Sequence, residues 1–145
     1  MAHYQFNKDL EDGHKAEEEV LEKLATYFKV KKEDIERCHN KDFDLSISGL
    51  RLTFEVKNDL MAAQTGNIAI EYECRGKPTG LATSKAGFWI YKFAGSLWVV
   101  PTAVLRQKLL IEKRYFRQVT GGDKGSNTKM FLVKTTAFKS WGYQL

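Results

Sequence analysis

Residues 42–59 read DFDLSISGLRLTFEVKND and hold three side chains whose types and spacing suit phosphoryl chemistry: Asp44, Glu55 and Lys57. A strand sends successive side chains to opposite faces. Phe43, Leu45 and Ile47 therefore share one face, while Asp42, Asp44, Ser46 and Ser48 share the other. After a hairpin turn at Ser48-Gly49, Leu52, Phe54 and Val56 alternate against Arg51, Thr53, Glu55 and Lys57. Pairing these strands brings Asp44, Glu55 and Lys57 onto one polar face. Two carboxylates with a neighbouring lysine fit a magnesium ion, a hard cation that takes oxygen ligands and keeps several waters. A cation held there polarises a phosphoryl oxygen and lowers the pKa of an attacking water. Lys57 is placed to orient or deprotonate that water and to offset transition-state charge.

The elements that must position these groups follow from periodicity. From about Asn7 to Lys29, Leu10, Val20, Leu21, Leu24 and Phe28 form one helical stripe. Glu17 falls in the middle of that stripe, whereas Glu18 and Glu19 point away. Desolvating a lone carboxylate costs on the order of several kcal/mol unless it is paired or bound to a cation. Glu17 is thus either a functional carboxylate or a group that reaches solvent past His14. The segment VKKEDIERCHN predicts a connection or a short strand, NDLMAAQTGN a loop with at most a turn of helix, and IAIEYE a third strand. CRGKPTG is a turn. LATSKA is a candidate short helix, GFWIYKF a buried strand and SLWVV another strand. A helix begins near Pro101, VTGGDKGSNTKM is a glycine-rich basic loop, and FLVKTTAF supplies a terminal strand. The sum is a mixed α/β domain around one sheet.

Length and composition agree with one domain spanning residues 1–145, 43% of it hydrophobic. No apolar run approaches the roughly 20 residues of a membrane span. The charged N-terminus does not resemble a signal peptide, so a cytoplasmic location is the expectation. Cys38 and Cys74 make neither a disulfide framework nor a zinc pattern, and nothing supplies paired ligands for the Cys38-His39 fragment. Charge is divided unevenly. Residues 1–73 carry 10 Lys/Arg and 16 Asp/Glu, a net of −6, whereas residues 74–145 carry 13 and 2, a net of +11. An acidic half that gathers carboxylates and a basic half suited to a polyanion point to nucleic acid.

In these residues the chain resembles the PD-(D/E)XK nuclease superfamily. Asp44 matches the first acid, and Glu55-Val56-Lys57 the second acid and lysine. GHKAE, ending at Glu17, is similar to the upstream helical glutamate of junction-resolving and phage members. TGNIAIEYE and PTGLATSKAGFWIYKF add to a likeness with small phage- or bacterium-encoded endonucleases, over roughly residues 10–102. The resemblance implies a restriction-endonuclease-like α-β-β-β-α-β core, a mixed sheet flanked by helices. It also implies a magnesium-dependent DNA endonuclease in which manganese substitutes, with Asp44, Glu55 and Lys57 catalytic and Glu17 assisting metal or water. Asp42 shares Asp44's face and stays open as the first ligand, although the family spacing favours Asp44. Glu71 and Gln64 are further site candidates.

Arg75, Lys77, Ser84, Lys85 and Lys124 are the candidate nucleic-acid contacts, with Arg106, Lys108, Lys113, Arg114 and Arg117 on the later helix and its end. Trp89, Tyr91 and Trp98 read as core. No separate recognition element is visible, so selectivity for branched or junction DNA fits the size of the chain. A symmetric or branched substrate favours a homodimer. The competing reading is a nucleic-acid-binding module on the same fold without hydrolysis.

Overall fold

A computed structural model describes residues 2–38, 43–112 and 116–145, with side chains from Gly13 onward. In chain order the elements are α1 (Ala2–Phe28), β1 (Glu36–Arg37), β2 (Leu45–Ile47), β3 (Leu52–Asn58), α2 (Ala62–Thr65), β4 (Asn67–Cys74) and β5 (Lys77–Pro78). They continue with β6 (Phe88–Phe93), β7 (Ser96–Pro101), α3 (Thr102–Arg106), β8 (Arg117–Gly121), β9 (Thr128–Lys134), α4 (Thr135–Ser140) and β10 (Tyr143–Gln144). Among the described residues no helix is long and apolar enough to cross a membrane.

The architecture is mixed α/β with flanking helices, but it holds two sheets where the periodicity implied one. The first sheet has the order β1-β2-β3-β6-β7-β10 and is mixed, because β3 and β6 run parallel while its other pairs are antiparallel. The second, β5-β4-β9-β8, is antiparallel throughout. The IAIEYE strand lies in the second sheet, paired with β9 rather than beside β3. Alternation fixes which side chains of a strand share a face but not which strand it pairs with.

Both faces of the first sheet are covered. On one face of the first sheet, Val20, Leu21 and Leu24 of α1 pack on Leu45, Ile47, Phe54, Ile90 and Leu97. The opposite face presents Trp89, Tyr91, Phe93 and Val100 to Ile68, Ile70, Phe131 and Val133 of the second sheet, with Leu105, Leu109 and Phe138 closing the core. Removing each of these large side chains from water contributes about 1.5–3 kcal/mol. The continuous apolar run of β6 is explained by this sandwiching, since both of its faces are buried.

Four further segments depart from expectation, and in one of them, FLVKTTAF, only the first four residues are strand while Thr135–Ser140 forms α4. LATSKA forms a single 3-10 turn at Gly80–Ala82 rather than a helix. The helix after Pro101 is five residues of α3 followed by a wide π-type turn, Gln107–Ile111. The basic loop is shorter than predicted, because Gly121 belongs to β8 and Thr128 to β9, which form a hairpin with Gly121 opposite Thr128. Lys113 and Arg114 lie outside the described residues.

Candidate active site

The β2–β3 hairpin forms as its alternation dictates, with Leu45 opposite Phe54, Ser46 opposite Thr53 and Ile47 opposite Leu52. The reversal uses a 3-10 turn at Ser48–Leu50, closed by Arg51 in the left-handed region at φ 56°. Asp44 extends the ladder by donating its N–H to the Phe54 carbonyl at 2.9 Å, which sets it beside Glu55. Asp44 Oδ2 accepts the N–H of Val56 at 2.8 Å. That bond fixes the carboxylate. Asp42 lies outside the described residues.

Glu55 and Lys57 occupy the β3 face opposite Phe54 and Val56, with Lys57 Nζ 3.4 Å from Glu55 Oε1. The glutamate side chain is 18% exposed and the lysine 45%. Burial pushes the Glu55 carboxyl above its ordinary value, Lys57 opposes that rise, and the Asp44 charge adds to it. A half-desolvated carboxylate beside a second carboxylate is short of positive charge, as expected of a group that takes a cation. Lys57 Nζ also lies 5.7 Å from the centroid of the Trp89 ring, which supports its stem.

Beyond Lys57 the C-terminal end of β3 opens into a cleft of about 510 Å³, whose lining includes Gly13, Lys57, Asp59, Glu71, Trp89 and Tyr91. One wall is the edge of β4, which β5 pairs only at Glu73 and Cys74. Asp59 and Tyr91 hold the earlier part of that edge. Asp59 Oδ2 accepts the Ala69 N–H at 3.1 Å, and the Tyr91 hydroxyl donates to the Ala69 carbonyl at 3.4 Å. Asp59 Oδ1 accepts the N–H groups of Met61 and Ala62, so one carboxylate ties β3, α2 and β4 together. The Tyr91 hydroxyl is driven well above its ordinary pKa, first by burial and then by Asp59, Glu55 and Glu71, so three carboxylates surround it.

Glu71 therefore lines the same cleft as Lys57. Its placement depends on Gly80, which has φ +52° and leaves no room for a side chain, because a Cβ would sit 2.3 Å from the Glu71 carbonyl oxygen. Glu17 is half-buried on α1, one turn after Gly13, on the side of the helix that packs over Phe54. It makes no hydrogen bond or ion pair with Asp44, Glu55 or Lys57. Its neighbours are engaged elsewhere, Glu18 with Lys32 and Arg37, and Glu19 with Lys92. Gln64 is exposed on α2 and does not line the cleft. Among the described residues, no three His, Cys, Asp or Glu side chains cluster closely enough to hold a metal ion between them. Asp44 and Glu55 adjoin across the hairpin.

Of the candidate nucleic-acid contacts, Arg75, Lys77, Lys85 and Lys124 are exposed. Arg75-Gly76 is a two-residue hairpin turn with both φ angles positive, at 54° and 75°. Ser84 is a correction. It is buried, and its hydroxyl accepts from the Trp89 indole at 3.2 Å and from the Ala86 N–H at 3.3 Å. Its role is to satisfy a buried indole, not to meet a ligand. Arg106 is half-buried and engaged within the chain, donating to the Leu81 and Ser84 carbonyls. Asp59 was missed in the sequence; its one signal is its position two residues after Lys57, before a candidate helical turn that it caps. No protein-family model, curated protein or solved structure matches the chain.

Proposed function

We propose that the protein is a magnesium-dependent DNA endonuclease of the PD-(D/E)XK type. The observation that carries this reading is the adjacency of Asp44, Glu55 and Lys57 on one face of the β2–β3 hairpin, with Lys57 also lining a cleft that holds Glu71. The order of elements supports it. A helix, a three-strand antiparallel meander (β1-β2-β3) and a parallel return in β6 fit the α-β-β-β-α-β order of that family. The crossover departs from the family order, since α2, β4 and β5 stand where one helix is expected.

Magnesium fits the donor set. Asp44 Oδ1 and the Glu55 carboxylate are two hard oxygen donors, and water completes the shell of such an ion. When bound, the ion supplies Lewis acidity to the phosphoryl oxygens and a more acidic water. The chain's own groups do the rest. The Val56 N–H holds Asp44 in place, Lys57 orients the attacking water and takes its proton or offsets developing negative charge, and Glu71 faces the same space.

The test is incubation with supercoiled, linear, single-stranded and branched DNA, with magnesium or with chelator. Wild-type protein should cleave only with metal, and preference for the branched substrate would mark structure selectivity. Lys57→Ala should lower the rate by about 10²–10³-fold or more, with binding and folding retained, because it removes a transition-state contact from a polar face. Undiminished cleavage by Lys57→Ala would sink the assignment.

A further inference from the structure

The second sheet has an outward face that no other described element covers. Cross-strand partners share a face. Asn67, Ala69 and Glu71 of β4 thus lie beside Lys134, Leu132 and Met130 of β9, and Leu132 and Met130 lie beside Arg117 and Val119 of β8. Ala69 and Glu71 already line the cleft, so the same face runs from the cleft across three strands. At its far side lies a concavity of about 420 Å³, lined by Asn67, Phe116, Arg117, Leu132, Lys134 and Ala137. Arg117 and Lys134 are exposed, and neither pairs with a carboxylate among the described residues.

We propose that this face is the track for the sugar–phosphate backbone of the DNA engaged in the cleft, with Arg117 and Lys134 as its phosphate contacts. The proposal rests on the nuclease reading. Charge complementarity selects the occupant: two cations flank an apolar floor at Leu132, within the half of the chain that carries a net of +11. Strand geometry sets the reach. With a rise of about 3.3 Å per residue and strands about 4.8 Å apart, Arg117 and Lys134 lie roughly 12–14 Å from Glu71, about four base-pair rises of 3.4 Å. The contacts should therefore fall on backbone phosphates beyond the cleft rather than at the phosphate in it. Arg117 and Lys134 are distant in the chain, and the β8–β9 register brings them together.

The experiment measures binding of a labelled duplex and a labelled branched DNA by anisotropy across a salt series. It uses full-length protein silenced by Lys57→Ala, with and without Arg117→Ala and Lys134→Ala together. Each lost duplex contact lowers the log–log salt slope by about 0.9, so the double variant should lose about 1.8, and its affinity deficit should shrink about twelve-fold between 50 and 200 mM salt. Leu132→Asp, which removes no cation, should also weaken binding. A steep parent slope left unchanged by the double variant would overturn the track and leave the nuclease reading standing. A parent slope near zero would remove both. If these variants instead convert a dimer to a monomer in sedimentation with the slope unchanged, a second copy of the chain covers the face and the track is wrong.

Discussion

Replacing Asp59 tests whether one carboxylate joins the cleft's two walls. In Asp59→Ala, the N–H groups of Met61, Ala62 and Ala69 lose their acceptor, at bonds of 3.1, 3.0 and 3.1 Å. Met61 and Ala69 are exposed and rehydrate, whereas Ala62 is buried and does not. Losing a cap costs about 1 kcal/mol and each bond to a charged acceptor about 1.5–3 kcal/mol before rehydration, which gives a loss of roughly 2–4 kcal/mol. Asp59→Asn separates the contributions. Its amide oxygen still accepts from Met61 and Ala62, but its NH₂ faces the Ala69 N–H, donor against donor, for a loss of roughly 1–2 kcal/mol. With a urea dependence of about 2 kcal/mol/M, the midpoint falls by roughly 1–2 M for alanine and 0.5–1 M for asparagine. Amide exchange locates the effect: in Asp59→Asn the Ala69 N–H should lose protection while Ala62 keeps it. Equal protection of Ala69 in wild type and Asp59→Asn would refute the tether. So would an asparagine variant as unstable as the alanine one.

Glu55→Gln should abolish cleavage and weaken magnesium binding, as should Asp44→Asn, by calorimetry, with manganese partly replacing magnesium. The same Glu55→Gln change should raise the thermal midpoint in chelator at neutral pH. Burial holds the folded carboxyl above its ordinary value of 4.5, so the folded state binds more protons in that window and stability falls as pH rises through it. The advantage of glutamine should therefore shrink as pH drops toward 4.5, and a midpoint difference independent of pH would contradict the burial argument. Gly80→Ala should cost roughly 2–4 kcal/mol by denaturant unfolding, from a left-handed backbone plus contact with the Glu71 carbonyl. Gly95→Ala, also at positive φ but in open space, should cost only about 1–2 kcal/mol, and equal losses would show that Glu71 does not constrain Gly80.

The linear order of side chains was enough to place the hairpin at residues 45–58 and the groups on its polar face, because a period of two leaves no other assignment once Leu45, Ile47, Phe54 and Val56 must pack together. It likewise determined α1 and its buried stripe, and β6, whose unbroken apolar run requires cover on both faces. Strand β8 was not legible: RQVTG holds no buried residue, so no hydrophobic pattern marks it, and its pairing with β9 alone makes it a strand. That β4 leaves the first sheet follows from packing in three dimensions, since the same alternating side chains suit either neighbour. Fixing the Ala69 edge at the cleft took an Asp59 carboxylate and a Tyr91 hydroxyl from other strands. Tertiary structure also separated polar residues by what their hydrogen bonds reach. Ser84 and Arg106 look like ligand contacts in a basic sequence, yet they satisfy an indole and two carbonyls inside the fold, whereas Arg117 and Lys134, 17 positions apart in the chain, meet on one face through strand register. Hydrophobic periodicity is local and so visible in a linear sequence; polar groups take their partners from wherever the fold brings a complementary atom within about 3 Å.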